Sequence, residues 1–211
     1  MKSELEHLLL NEKRWDKWAE NYDKKSLLQD KLRQAQRSVI YILDVNENIN
    51  FLDVGCGTGY AIGEAAKLVN GKGEFYGIDL SSKMIEKAKD NYRDKSNFHF
   101  IKANVESIPL NDNFFNIIIC TYSFHHYLNP DKALKEIYRL LKKGGKVYIL
   151  DPTSDKWYVN VINKIIKLFE SEHVKKYSTA EFRLLFQNAG LKYSFSKEIK
   201  GNDKVHIAEK R

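Results

Sequence analysis

Three of the chain's 11 glycines, Gly55, Gly57 and Gly59, stand at alternate positions in F-L-D-V-G-C-G-T-G-Y, directly after an apolar run that carries Asp53. Glycine at that density means a backbone that turns tightly, or one that lies closer to another molecule than a Cβ would allow. Asp79 follows in F-Y-G-I-D-L, 20 residues past Gly59. An acid at the end of the next strand suits a ribose with both hydroxyls free. Each feature alone has an ordinary structural explanation, tight strand-to-helix packing for the glycines and helix capping for the acid. Together, at this separation, they are much less easily structural and point to a ribose-bearing ligand. A dinucleotide turn needs G-x-G-x-x-G, and the position of its third glycine, counted from Gly55, is Tyr60. A G-x-x-x-x-G-K-[ST] phosphate loop is also missing.

A second constellation, His125 and His126 in C-T-Y-S-F-H-H-Y, offers acid–base chemistry, because imidazole titrates near neutrality. The pair reads first as a fastening for the loop before Pro130; if one of the two acts as a general base, it is His125. Adjacent histidines point in different directions and no third ligand lies at metal spacing, so no metal is expected. Trp15, Trp18 and Tyr22 are spaced three and four apart, which places them on one helix face as core or as a lid. Trp157 and Tyr158 are a second aromatic pair.

The elements that must position these residues follow from hydrophobic pattern. Short apolar runs predict strands over 50–54, 73–78, 97–102, 115–121, 146–150, 191–198 and 204–209. Apolar positions three or four apart predict helices over 61–69, 81–92, 130–141 and 178–189. Alternating strands and helices mean βαβ units and a mostly parallel sheet. K-G-N-D between the last two strands reads as a hairpin, so strand seven runs antiparallel. Ser81 caps one helix, Pro130 opens another, Gly144-Gly145 stops it, and Ser178-Thr179-Ala180-Glu181 offers a capping box. The expectation is a single α/β domain over 1–211, with 1–48 as a helical N-terminal segment and 155–172 as a helical insertion.

Composition narrows the function classes. At 211 residues with 43% hydrophobic residues, the chain can bury one sizeable core. No apolar run approaches the roughly 20 residues of a membrane helix, and a cytoplasmic location is expected. Cys56 and Cys120 lack paired spacing, which disfavours disulfide and zinc frameworks. The net charge of +7 comes from lysines spread along the chain among acids. That pattern reads as a solvated surface and disfavours nucleic acid as a partner.

The chain resembles the class I S-adenosylmethionine-dependent methyltransferases, in particular the branch similar to the ubiquinone/menaquinone biosynthesis enzymes. The resemblance runs from about Trp15 onward and is carried by L-D-V-G-C-G-T-G, G-I-D-L-S, A-N-V-E-S-I-P-L-N-D-N-F-F-N-I-I-I and S-F-H-H-Y-L-N-P-D-K-A-L-K-E-I-Y-R-L-L-K-K-G-G-K. It implies a Rossmann-like doubly wound sheet of seven strands and S-adenosylmethionine as cofactor. Residue by residue, it implies that Asp53 orients the methionine end of the cofactor while Gly55, Cys56, Gly57 and Gly59 bring the backbone close to it. Asp79 would hold the ribose, Leu80 the adenine face, and Asn104 and Val105 the adenine edge. Thr121 and Tyr122 would close the pocket, with Tyr22 as a lid over the cofactor. The acceptor would meet Trp18, His126, Trp157 and Tyr158, and the aromatic residues suggest an apolar or flat small molecule. A monomer or homodimer is expected. Two positions depart from the family's usual residues. Asn104 stands where Asp is usual, from which weaker cofactor binding is expected, and Phe115-Asn116 stands where F-D is common.

Overall fold

Strand-forming runs with apolar residues on both faces can be buried only if both faces of the sheet are covered, and the mainly apolar runs over 49–54 and 115–121 set this pattern. The computed structural model describes residues 4–20, 22, 26–45, 48–156 and 175–211. Two helices lead, α1 (Glu4–Ala19) and α2 (Leu27–Ile40), followed by β1 (Ile49–Val54), α3 (Tyr60–Leu68), β2 (Gly73–Asp79), α4 (Ser82–Asn91) and β3 (Phe98–Lys102). Then come β4 (Phe115–Thr121), α5 (Pro130–Leu140), β5 (Leu141–Pro152), α6 (Thr179–Asn188), β6 (Lys192–Lys200) and β7 (Asp203–Glu209). The sheet has seven strands in the order β3-β2-β1-β4-β5-β7-β6. Strands β1 to β5 pair in parallel, and β7 runs antiparallel to both its neighbours.

Successive strand residues serve opposite faces. Phe51, Ile117, Ile119, Tyr148 and Leu150 pack under α2, α3 and α4. Leu52, Val54, Ile118, Cys120, Val147 and Ile149 pack under α5 and α6. Polar groups fix the starts and ends. The N–H of Asn50 donates to Asn116 Oδ1 at 2.9 Å, so the residue in place of the family's aspartate ties β4 to β1. Ser81 Oγ accepts from Met84 N–H at 3.1 Å, Asn129 caps α5 ahead of Pro130, and Ser178 and Glu181 form the expected capping box.

Two elements differ from the sequence expectation. The N-terminal segment is two helices, and α1 ends at Ala19, before Tyr22. Strand β5 begins at Leu141, where a helix end and glycine stop were expected. Leu141 pairs with Phe115, and Gly144 N–H donates 2.7 Å to the carbonyl of Lys210. A tertiary partner 66 residues further on therefore turns the glycine pair into strand. The helical insertion expected over 155–172 lies, from 157 on, outside the described residues.

One core residue stands out electrostatically. His206, on β7, is fully buried with its ring stacked on Phe182 at 4.1 Å. Neither ring nitrogen has a hydrogen-bond partner among the described residues. Burial pushes its pKa down to about 4, because an imidazolium there would lose its hydration without gaining a partner.

Candidate active site

The site begins where β1 can no longer continue as a strand. Gly55 and Gly57 have φ of 76° and 53°, a region L-residues with a Cβ rarely adopt. The N–H groups of Gly55 and Cys56 both donate to the carbonyl of Ile78, at 2.8 and 2.9 Å, and pin the turn to β2. A Cβ at Gly55 would lie 2.7 Å from Ser123 Cβ. At Gly57 it would stand 3.5 Å from the ring of Tyr22, which covers the turn from outside the helix. Gly59, just before α3, packs instead against Tyr92 and Phe100.

Asp79 closes the arrangement. Its Oδ2 accepts Gly57 N–H and its Oδ1 accepts Ser81 N–H, each at 2.9 Å. One carboxylate thus joins the glycine turn to the start of α4. Two oxygens with about four lone-pair sites can still accept from two hydroxyls after these bonds. Burial raises its pKa, and the backbone donors oppose that shift.

In front of the turn lies a cleft partly open to solvent, with about 960 Å³ of empty space when the open side is included. Tyr22, Gly55, Gly57, Asp79, Leu80, Asn104, Val105, Thr121, Tyr122 and His126 line it together. Gln36 of α2 also lines it and donates from Nε2 to Thr121 Oγ1 at 2.9 Å. Tyr122 has φ of 55°, and its hydroxyl donates to Asp203 Oδ2 at 2.8 Å. Asn104 Oδ1 accepts Glu106 N–H at 3.0 Å.

Several expected site residues lie off the cleft wall. Asp53 is buried behind the turn, and its Oδ1 has no partner among the described residues. Burial, reinforced by the charge of Asp79, pushes its carboxyl up to about 8. Cys56 contributes its backbone, while its side chain is buried and its thiol pKa is raised by that burial. Trp18 is 46% exposed and meets Trp15 edge-on at 5.7 Å. Trp15 and Tyr22, from the same aromatic trio, line the cleft. Trp157 and Tyr158 fall outside the described residues.

The histidine pair occupies a single 3-10 turn, Phe124–His126. His126 meets Trp15 edge-on at 5.2 Å, and its ring is 4.0 Å from that of His125. His125 does not line the cleft directly. Its Nδ1 lies 2.7 Å from Oδ1 of Asp151, a fully buried acid on β5 whose Oδ2 has no partner among the described residues. With Nδ1–H donating to the carboxylate, Nε2 is the nitrogen able to accept a proton. Sequence reasoning missed Asp151 because it reads as one more strand-end residue, 26 positions from its partner. It also missed Gln36 and the α1 residues His7 and Asn11, which line the cleft with Trp15 at a spacing of four. That periodicity was visible around the aromatic trio.

The profile of a methyltransferase domain family matches residues 45–203. The chain belongs to this family. Among curated members, it is 30% identical over 146 residues to YcgJ of Bacillus subtilis, an uncharacterized methyltransferase, covering 67% of this chain and 56% of that protein. It is 33% identical over 103 residues to the ubiquinone/menaquinone biosynthesis C-methyltransferase UbiE of Vibrio cholerae, covering 47% of this chain and 40% of the relative. The chain therefore spans about half the length of these curated relatives. A chain from the Haloferax volcanii complex of the Trm112 methyltransferase activator with a methyltransferase superposes on this methyltransferase domain with a TM-score of 0.80. That match has 21% identity and covers 94% of this chain and 96% of that one, a likeness of fold. No helix among the described residues is long and apolar enough to cross a membrane.

Proposed function

We propose that this chain binds S-adenosylmethionine in the cleft and transfers its methyl group to a small-molecule acceptor. The observation that carries the reading is the Asp79 carboxylate, which holds the glycine turn from the carboxyl end of β2 and faces the cleft. Family membership supports the same cofactor. The fit is also chemical: a glycine turn without Cβ atoms, an acceptor for ribose hydroxyls, the apolar Leu80 and Val105, and a buried acid behind the turn.

The cofactor supplies a methyl group on a sulfonium, whose leaving group is already activated. The protein's task is therefore alignment and exclusion of water. Gly55 and Gly57 let the backbone come close, Asp79 accepts from the ribose, and Tyr22 covers the turn. Where the acceptor must lose a proton, His125 is the base this reading offers, its ring set by Asp151 and standing behind that of His126 on the cleft wall at 4.0 Å. Trp15 and Leu128 on the cleft wall suit a flat or apolar acceptor. The Haloferax likeness is in fold only, and no partner is carried over from it.

Titration calorimetry tests the cofactor. Wild type is expected to bind S-adenosylmethionine and S-adenosylhomocysteine and to ignore NADH. Asp79→Asn, which keeps the shape but weakens acceptance from two hydroxyls, is expected to lose at least about tenfold in affinity, since hydrogen bonds to charged groups contribute about 1.5–3 kcal/mol each. Absence of adenosyl binding by a folded wild type would refute the reading.

The base is tested with an acceptor found by library screening. His125→Ala is expected to lower kcat by about 10²–10⁴. Asp151→Asn should lower it less and shift the pH–rate profile. A loss under about tenfold in His125→Ala removes it from that role and leaves the pair as a loop fastening.

A further inference from the structure

Asn11 is a polar residue in a place that does not satisfy it. It lies on α1, is 5% exposed and lines the cleft. Its Nδ2 donates to Nε2 of His7, one turn earlier, at 3.1 Å. With the amide nitrogen so used, Oδ1 is left without a partner among the described residues. A buried acceptor left unpaired is unfavourable, and this one stands on an otherwise largely apolar wall with Leu8 and Trp15.

The position of α1 indicates which part of a ligand Asn11 meets. Asp16 accepts from Ser81 Oγ at 2.5 Å, Glu12 accepts from Ser82 Oγ at 3.2 Å, and Glu12 also pairs with Lys102. These contacts fix α1 over the carboxyl ends of β2 and β3. The cleft wall there includes Asp79, Leu80 and Asn104, the end assigned above to the nucleoside. The edge of adenine presents a ring nitrogen that accepts and an exocyclic amino group that donates. Asn104 Oδ1 already accepts Glu106 N–H and keeps one acceptor site, while its amide nitrogen keeps its donors for the base. The base's amino group carries two N–H donors and can use a further acceptor.

We propose that Asn11, oriented by His7, accepts a hydrogen bond from the exocyclic amino group of the adenine. This rests on the reading that the cleft takes an adenosyl cofactor. The bond adds to the single acceptor oxygen that Asn104 offers where the family's usual aspartate has two, and it makes α1 part of base recognition.

The test is calorimetry with S-adenosylhomocysteine and its 6-oxo analogue S-inosylhomocysteine, in which the amino donor becomes a carbonyl acceptor. Wild type is expected to prefer the adenosyl compound by about tenfold or more, the worth of one exchanged hydrogen bond. Asn11→Leu should weaken S-adenosylhomocysteine by about that factor and largely erase the preference. Asn11→Asp keeps the shape and can only accept, so it should retain or enlarge the preference and shows that the position tolerates substitution. An unchanged preference in Asn11→Leu overturns the proposal. So does an unchanged affinity accompanied by a raised KM for the acceptor, which would assign Asn11 to the acceptor instead. If folded wild type binds neither nucleoside, the cofactor reading fails and takes this proposal with it. Adenosyl binding without base preference removes the proposal alone.

Discussion

Asp53→Asn is expected to make the ligand-free protein more stable while weakening its grip on the cofactor. Asp53 titrates near 8 in the folded chain against an ordinary value of 3.8. A carboxyl whose folded pKa is raised contributes its full stability below the unfolded pKa and loses it as pH rises toward the folded one. Between about pH 4 and pH 8 the folded state therefore holds a proton that the unfolded state has released. By pH 7 the loss reaches about 4 kcal/mol, at 1.36 kcal/mol per pH unit of difference. Asn carries no such dependence and has nearly the same shape. Urea titrations of both proteins at pH 5, 7 and 8 should show the variant gaining most at the highest pH, and calorimetry should show weaker S-adenosylmethionine binding. Equal stability of the two proteins at pH 7 would sink this account of Asp53.

His206→Leu is the second large effect, and its sign in pH is opposite. The histidine's folded pKa is near 4 and its ordinary value is 6.5. Below pH 6.5 the unfolded chain takes up a proton that the buried ring refuses, so wild-type stability falls as pH drops toward 4. At pH 5 that amounts to about 2 kcal/mol, and leucine removes it. The gain should shrink to the apolar-packing difference above pH 7. Between pH 4 and 6.5 the Asp53 and His206 slopes nearly cancel, so the wild type should look insensitive to pH there as far as these two groups set it. His206→Leu should uncover the Asp53 slope, and the double variant with Asp53→Asn should be flat again. An acid-side profile of His206→Leu that parallels the wild type would rule out the burial account.

What the sequence made legible was what short-range backbone rules demand. Gly55 and Gly57 had to be glycine for a turn with positive φ, and Asp79 ended its strand at the expected distance. The apolar strands and most caps followed for the same reason, since burial and capping act within a few residues. The misses came from partners distant in the chain. Gly144 became strand because Lys210 supplies a carbonyl, and Asp151 acquired a role only when β4 and β5 brought His125 beside it. Tyr22 was placed on the helix face of Trp15 and Trp18, yet it lies past the end of α1, where its ring covers Gly57. Asn11 and His7 carry the right periodicity, but their residue types gave no reason to choose them until the fold showed which face of α1 turned toward the cleft.

The order β5-β7-β6 places the last of the seven strands to be synthesised inside the sheet, with a neighbour on each side. Chains generally fold from the N-terminus as they emerge from the ribosome, but here β5 keeps an open hydrogen-bonding edge until β7 is available. An open edge is a template for pairing with other chains. Nascent and C-terminally clipped forms should therefore be the species that aggregate and call on chaperones, while the glycine turn and Asp79, encoded more than 120 residues earlier, are already in place.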